Sequence, residues 1–184
     1  MNGYKITGSR TIYSGSILTL RVDDLRMPSG RVVEREVVTH GGAVGIIPLT
    51  DKNEIILVTQ YRHPVGVSLK EIPAGKLEPG ETPEECARRE LIEEIGYAPG
   101  RLVRLTTFYT TPGYSSEVFH LFIADNLTLE TSDVTEEEIE SVERLSIAEV
   151  VRQIAAGVIE DGKTIAAVGM AKIWLEAGGH GPAE

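Results

Sequence analysis

Cysteine, positive charge and long apolar runs are all scarce in this chain of 184 residues. Cys86 is the one cysteine, so no disulfide can form within the chain, and a reducing compartment is expected. No uncharged apolar run approaches the roughly 18 residues that a membrane-spanning helix needs. We therefore expect a soluble, cytoplasmic protein that does not enter the membrane.

The charge balance of the chain limits the classes of binding partner that we expect. The chain has 18 Lys and Arg residues against 28 Asp and Glu residues, which gives a formal charge of −10. A nucleic-acid binder that relies on phosphate contacts needs a basic face, so we expect no nucleic-acid partner. An acidic protein that handles an anionic substrate must bring cations with it.

The first part of the chain is typical of β-strands. Thr11–Val22 and Arg31–Thr39 are rich in β-branched residues, and Pro28-Ser29-Gly30 between them indicates a hairpin turn. Two apolar runs follow, Ala43–Leu49 and Glu54–Tyr61, and their short connection predicts that they are adjacent central strands.

A helix is predicted at Pro83–Ile95. Thr82 and Glu85 form a capping box, Pro83 occupies the first helical position, and Gly96 marks the end. Further strands are predicted at Leu102–Thr110 and Val118–Ala124, and further helices at Ile147–Ala156 and Thr164–Ala177. This order predicts an α/β fold in which a mixed β-sheet is sandwiched between α-helices.

The predicted helix carries a stripe of carboxylates. At about 100° per residue, Glu90, Glu93 and Glu94 share one face, separate from the arc of apolar residues, and Arg89 lies beside them. Like charges one turn apart cost a few tenths of a kcal/mol, and a hard divalent cation would offset that repulsion. The alternative is a solvated helix face without further function.

A longer sequence pattern favours a metal site over a solvated helix face. The segment from Gly75 to Tyr97 resembles the Nudix box, G-x5-E-x7-R-E-U-x-E-E-x-G-U, where U is a bulky apolar residue. Its fixed letters are all present as Gly75, Glu81, Arg89, Glu90, Glu93, Glu94 and Gly96. A chance match of seven letters at average residue usage is on the order of 10⁻⁹ per starting position.

The resemblance to Nudix hydrolases implies an activity, a fold and a metal site. Such enzymes cleave nucleoside diphosphates linked to another group, with Mg²⁺ or, as a second candidate, Mn²⁺. By resemblance, Glu90 and Glu94 bind the metal, the Ala74 carbonyl is a further ligand, and Arg89 holds a carboxylate in place. Glu81 and Glu93 would complete the cluster or support it.

The ADP-ribose pyrophosphatase branch is indicated by a second match. Pro112 follows Gly96 by 112 − 96 = 16 residues, the offset at which this branch carries a proline. Thr111 and Glu117 would then face the substrate or the metals. Read alone, this Thr-Pro-Gly segment is an ordinary turn.

The same branch supplies candidates for the substrate contacts. Arg62 would hold the diphosphate through its guanidinium fork. Arg35 and Glu36 lie on the N-terminal hairpin, with which this branch contacts the nucleotide and forms homodimers. The alternatives are a surface arginine at a strand end and an exposed strand face.

The acidic run 136–140 resembles the loop that provides the catalytic base in this branch. Matching residue by residue points to Glu138 first and Glu136 second, and a solvated charged loop is the alternative.

We therefore expect an N-terminal strand region, 1–40, for dimerisation and nucleotide contact, and a Nudix domain, 41–184. The expected reaction splits ADP-ribose or a related nucleoside diphosphate sugar into a nucleoside monophosphate and a sugar phosphate. The alternatives are another nucleotide sugar, such as GDP-mannose, and a non-catalytic nucleotide-sugar sensor.

Overall fold

The structure is a computed structural model that describes residues 3–131 and 137–178. It divides the chain into two compact units, one comprising Met1–Gly42 with Phe108–Phe119 and the other Ala43–Thr107 with His120–Glu184. Among the described residues, no helix is long and apolar enough to cross a membrane.

The first unit is built on a three-stranded antiparallel sheet. Its strands are β1 (Lys5–Ser14), β2 (Leu18–Arg26) and β3 (Val32–His40), in that spatial order. The predicted turn closes the β2–β3 hairpin, since the Met27 amide donates to the Arg31 carbonyl at 2.8 Å. In the segment predicted as one arm, 11–22, the structure has a turn at residues 15–17, because β1 and β2 form a hairpin of their own.

The second unit contains two sheets. Their strands are β4 (Ala43–Pro48), β5 (Glu54–Arg62), β6 (Val67–Glu71), β7 (Ala74–Lys76), β8 (Tyr97–Tyr109), β9 (Val118–Leu129) and β10 (Ile139–Ser146). One sheet has the order β7-β4-β9-β8 and the other the order β10-β5-β6. The last residues of β8 and the first of β9 belong to the first unit.

The prediction that β4 and β5 are neighbours in one sheet is wrong. β4 pairs with β7 and β9, whereas β5 pairs with β6 and β10, and an isolated bridge joins Leu49 to Ile55 at their connection. Both strands are buried along most of their length, and a strand buried on both faces carries no alternation that would reveal its partners.

Three helices complete the second unit, and with them the predicted α/β class is confirmed. They are α1 (Pro83–Ile95), α2 (Ile147–Ala155) and α3 (Gly162–Glu176). α1 packs on β4, β7 and β5, while α3 packs on β4 and α2. The capping box of Thr82 and Glu85 is formed, and Gly96 ends α1 with a φ of 76°, so the predicted bounds of this helix are confirmed.

The buried core of the second unit lies where α1 meets the strands. Its members are Val44, Ile46, Ile56, Val58, Cys86, Ala87, Leu91, Ile95, Phe122 and Ala124. Burial, together with the nearby charges of Glu81 and Glu90, raises the pKa of the Cys86 thiol to about 12, so the thiol is unreactive.

Candidate functional site

Two carboxylates of α1 are buried. Glu90 is 6% exposed and Glu94 is 3% exposed, although the sequence predicted an acidic face set apart from the apolar face. They lie on the side of the helix that also buries Ala87 and Leu91. A solvated stripe is therefore the wrong description of these two residues, because burying a carboxylate costs free energy that its surroundings must repay.

Both carboxylates contact strand β7. The Ala74 amide donates to Oε2 of Glu94 at 3.2 Å. At Gly75, a methyl group in place of hydrogen would lie 1.6 Å from Oε1 of Glu90. The glycine of the sequence pattern thus has a packing reason here, since any larger residue would displace the Glu90 carboxylate.

Arg89 is the centre of the carboxylate cluster. It donates to Glu81 through Nε at 2.8 Å and through Nη2 at 3.0 Å. Its Nη1 donates to Glu90 at 2.8 Å and to Glu93 at 2.9 Å. One guanidinium therefore binds three carboxylates, whereas the sequence suggested that it orients a single one.

The electrostatic effect of this arrangement is large at Glu81. The hydrogen bonds from Arg89 lower its pKa to about 2, against the opposing effect of burial. The pKa of Arg89 is raised in return, first by Glu81 and then by the charge of Glu90. Glu81 and Arg89 are therefore both charged at neutral pH.

The donor chemistry of the cluster suits a hard cation. Glu81, Glu90, Glu93 and Glu94 offer oxygen atoms alone, the ligand type that Mg²⁺ prefers. Within residues 3–131 and 137–178, no three His, Cys, Asp or Glu side chains converge on a point in the manner of a metal site. In this structure three of the four carboxylates hydrogen-bond to Arg89 instead.

Arg62, the predicted diphosphate ligand, ends strand β5. Its Nε and Nη2 donate to the two oxygens of Glu71 at 2.8 and 2.7 Å, which is a bidentate pair. These bonds raise the pKa of Arg62, and the charge of Glu94 contributes to the rise. Arg62 is therefore within electrostatic range of the buried α1 carboxylate.

Glu138, the first candidate for a base, is exposed and lies just before β10. Its Oε2 accepts a hydrogen bond from Nε2 of Gln60 at 3.0 Å, and Gln60 is buried in β5. Glu136, the second candidate, lies outside the described residues.

The remaining candidates belong to the first unit. Arg35 and Glu36 are exposed on β3, where Arg35 donates to the Glu34 carbonyl at 2.9 Å. Thr111 is exposed in the loop that follows β8. Glu117 accepts a short hydrogen bond from the Thr110 hydroxyl and lies 3.6 Å from Nδ1 of His40.

Sequence reasoning missed two residues that contact the candidates. Glu71 binds Arg62, and Gln60 binds Glu138. Glu71 could have been noticed as an acidic residue directly before the apolar Ile72-Pro73, whereas Gln60 carried no signal of its own near the end of a predicted strand.

A cavity of about 730 Å³ also lies in the second unit. Lys52, Tyr97, Asp125 and Arg144 are among its lining residues, and none of the site residues predicted from the sequence lines it. This cavity is therefore separate from the carboxylate cluster.

Comparison with known proteins agrees with the sequence pattern and the α/β fold. The model of the NUDIX domain matches residues 39–168, and the model of the nucleoside diphosphate sugar hydrolase N-terminal domain matches residues 4–38. This chain belongs to the Nudix family. Nudix hydrolases generally depend on divalent metals, and the prediction of a Nudix pyrophosphohydrolase is confirmed.

Three relatives illustrate the range of activities among similar chains. An ADP-ribose pyrophosphatase of Bacillus subtilis (strain 168) is 39% identical over 166 residues, which is 89% of this chain and 90% of the relative. A methanol dehydrogenase activator of Bacillus methanolicus is 40% identical over the same shares. A GDP-mannose pyrophosphatase of Cronobacter sakazakii is 36% identical over 77% of this chain and 80% of its own.

A solved structure supports the fold. The crystal structure of an ADP compounds hydrolase superposes with a TM-score of 0.85 over 96% of each chain, at 24% identity. At that identity the likeness concerns the fold.

Proposed function

We propose that this protein hydrolyses the diphosphate of ADP-ribose, or of a closely related nucleoside diphosphate sugar, to a nucleoside monophosphate and a sugar phosphate. The observation that carries the proposal is the pair of buried carboxylates, Glu90 and Glu94, received by Gly75 and Ala74 of β7. A cluster with this much buried negative charge is suited to a cation and, through it, to an anionic substrate. The ADP-ribose pyrophosphatase relative supports the choice of substrate.

Glu90 and Glu94, with the Ala74 carbonyl and Glu81 or Glu93, are the residues that would hold the metal. Their all-oxygen chemistry favours Mg²⁺, with Mn²⁺ as the second candidate. When bound there, a divalent cation supplies positive charge that neutralises the diphosphate and polarises phosphorus. Arg89 would keep the carboxylates from repelling one another by its hydrogen bonds to three of them.

The side chains outside α1 would complete the reaction. Arg62 would bind a diphosphate oxygen, and Glu138 would accept the proton of the attacking water. The water oxygen forms a bond to phosphorus while the bond from that phosphorus to the bridging oxygen breaks, so the second phosphate leaves. Exposure of Glu138 and its hydrogen bond from Gln60 support its assignment as the base.

The N-terminal strands would provide nucleotide contact and a dimer interface. Arg35, Glu36, Thr111 and Glu117 are the residues that we assign to the substrate. Support for a homodimer comes from the apolar side chains that β1 exposes, among them Ile6, Ile12 and Tyr13, each more than half exposed. The acidic composition and single buried cysteine fit a cytoplasmic protein without a nucleic-acid partner.

The test is hydrolysis of ADP-ribose in the presence of Mg²⁺. We expect turnover by the wild type, and a loss of about 10²–10³-fold in kcat for Glu94→Gln, since the variant loses the charge that stabilises the metal. Glu84→Gln is the matched control, because Glu84 lies on the same helix but is exposed and pairs with Arg104. Equal rates for wild type and Glu94→Gln would contradict the metal assignment.

GDP-mannose is the second candidate substrate, supported by the GDP-mannose pyrophosphatase relative. Measurement of kcat/KM for ADP-ribose, GDP-mannose and further nucleotide sugars distinguishes the two. Binding of ADP-ribose without turnover of any substrate, with metal added, would favour the non-catalytic sensor instead.

A further inference from the structure

Glu71 is a buried carboxylate to which the proposed reaction gives no role. It is 1% exposed and lies at the end of β6, four residues before Gly75. A carboxylate in such surroundings persists in its charged form only with close cationic partners. Arg62 is one partner, through its bidentate pair, and Lys163 is the other, at 3.6 Å.

The first turn of α3 binds the backbone directly after Glu71. The amide of Ile72 donates to Oγ1 of Thr164 at 3.0 Å, and both the amide and the hydroxyl of Thr164 donate to Asp161 at 2.7 Å. Asp161 in turn binds Lys163 at 2.5 Å. The backbone directly after Glu71 is therefore held by Thr164, and Asp161 holds the lysine that lies near the Glu71 carboxylate.

The pairing with Glu71 fixes Arg62 but does not exhaust it. A guanidinium has five N–H groups, and Glu71 uses one from Nε and one from Nη2. No other described residue accepts a hydrogen bond from the three remaining N–H groups, so they are available to a second acceptor. Because the bidentate fork is planar, it also sets the plane in which those three groups lie.

The surroundings connect this pair to the carboxylate cluster. The hydrogen bonds to Glu71 raise the pKa of Arg62 against burial, and the charges of Glu94 and Asp161 act in the same direction. Burial of the Glu71 carboxylate against a partly exposed arginine is an inefficient way to gain stability alone, since well-packed apolar residues commonly do as well. A fixed arginine near Glu94 is useful where an anion must be held in one orientation.

We propose that Glu71 is a positioning residue for substrate binding: it fixes the guanidinium of Arg62, through the bidentate pair, in the orientation that receives the diphosphate. The inference rests on the proposed function, because Arg62 must meet a diphosphate for its orientation to matter. Glu71 itself contacts no substrate in this scheme, and it acts through Arg62 alone.

The test is a double-mutant cycle on ADP-ribose hydrolysis. Glu71→Gln keeps the shape of the side chain but removes the charge and one acceptor, and we expect KM to rise about tenfold while kcat changes by less than about twofold. In an Arg62→Lys background, the same change should raise KM by less than about twofold, because the fork that Glu71 orients is already lost.

A merely structural role would give a different pattern. Thr164→Val is the matched control, since it removes the hydrogen bonds that the Thr164 hydroxyl makes with the Ile72 amide and Asp161, while the bidentate pair of Glu71 and Arg62 stays in place. We expect it to lower Tm and to leave KM within about twofold of the wild type. If Glu71→Gln does not fold, Glu71→Asp replaces it, because the shorter side chain keeps the charge and withdraws the acceptors from Arg62.

Three results would overturn the inference. They are an unchanged KM in a folded Glu71 variant, an equal rise in KM in the Arg62→Lys background, and a rise in KM in Thr164→Val as large as that in Glu71→Gln. Each of these leaves wild-type hydrolysis intact, so the proposed function survives. A wild type that neither binds nor hydrolyses ADP-ribose would overturn the proposed function, and this inference with it.

Discussion

Two segments, 75–97 and 130–143, contain seven acidic residues each, together half of the 28 in the chain, and they hold that charge in different ways. In the first, Arg89 hydrogen-bonds to three carboxylates. Of the other acids in the same helix, Glu94 is buried and Glu85 belongs to the capping box. The second has no Lys or Arg of its own. Three of its described acids contact neighbouring strands: Glu138 binds Gln60, Glu140 binds Ser68 and Glu143 binds Lys70.

The comparison separates local from tertiary information. The three carboxylates that Arg89 binds lie at most eight residues from it along the chain, so the spacing of the letters already limits which of these side chains can meet. The partners of 130–143 lie more than 70 residues away, and they meet because β10 and β5 pair in one register, with Ile139 opposite Gln60. A shift of that register by one residue would turn each side chain to the other face.

The largest effect that would sharpen this comparison is expected at Glu138. Replacement by Gln removes the proton acceptor but keeps the shape and an acceptor for Gln60, so we expect kcat to fall by about 10²–10⁴-fold with the fold intact. The measurement is kcat for ADP-ribose with Mg²⁺, together with Tm.

Glu140→Gln is the control for this prediction. Glu140 is exposed in the same segment and binds the Ser68 hydroxyl at 2.8 Å, so its loss should leave kcat within about twofold of the wild type. Full activity in Glu138→Gln would contradict Glu138 as the base, with Glu136 as the next residue to replace.

A smaller effect is expected where strand β7 meets α1. Gly75→Ala places a methyl group on the Glu90 carboxylate, which must move away. The hydrogen bond from Arg89 to Glu90 is then broken or displaced. We expect kcat/KM to fall by about 10²-fold from misplacement on the scale of an ångström, and the free energy of unfolding to fall by about 1–3 kcal/mol from overpacking.

Gly169→Ala is the counterpart in which the same substitution meets open space. Gly169 lies within α3, and no described residue lies within 4 Å of a Cβ added there. Alanine there should raise the free energy of unfolding by about 0.5–1 kcal/mol, because glycine is the weaker helix former. Wild-type activity and stability in Gly75→Ala would contradict the close approach of Glu90 to β7.

The contrast between the segments also explains what the sequence could predict. The bounds of α1 follow from Thr82, Glu85 and Gly96, whose effects act over three or four residues, and the carboxylate stripe follows from helical geometry. The pairing of Arg62 with Glu71 was not predictable in the same way. It depends on the antiparallel register of β5 and β6, and in addition on α3 bringing Lys163 to the same carboxylate.

The burial of Glu90 and Glu94 escaped prediction for a related reason. The helical wheel indicated an acidic face separate from the apolar arc, but whether that face is exposed to solvent depends on β7, which packs against α1. The partners of β4 and β5 were missed because two buried apolar runs give no sign of which strands they join.

The smallest expected effect is on stability at acidic pH. It tests the short-range pairing of Glu81 with Arg89 in the segment 75–97. Glu81 has a pKa of about 2 in the folded protein against 4.5 for an unperturbed Glu, because Arg89 donates to both of its oxygens. A depressed pKa means that the pair contributes stability at a pH above about 4.5 and that this contribution is lost as the pH falls towards about 2. Glu81→Gln lacks the titrating group, so we expect its free energy of unfolding to lie below that of the wild type at neutral pH and to approach it between about pH 5 and pH 3. Urea unfolding of both proteins across this range measures the difference, and a gap that stays constant with pH would show that Arg89 does not hold Glu81 in its charged form.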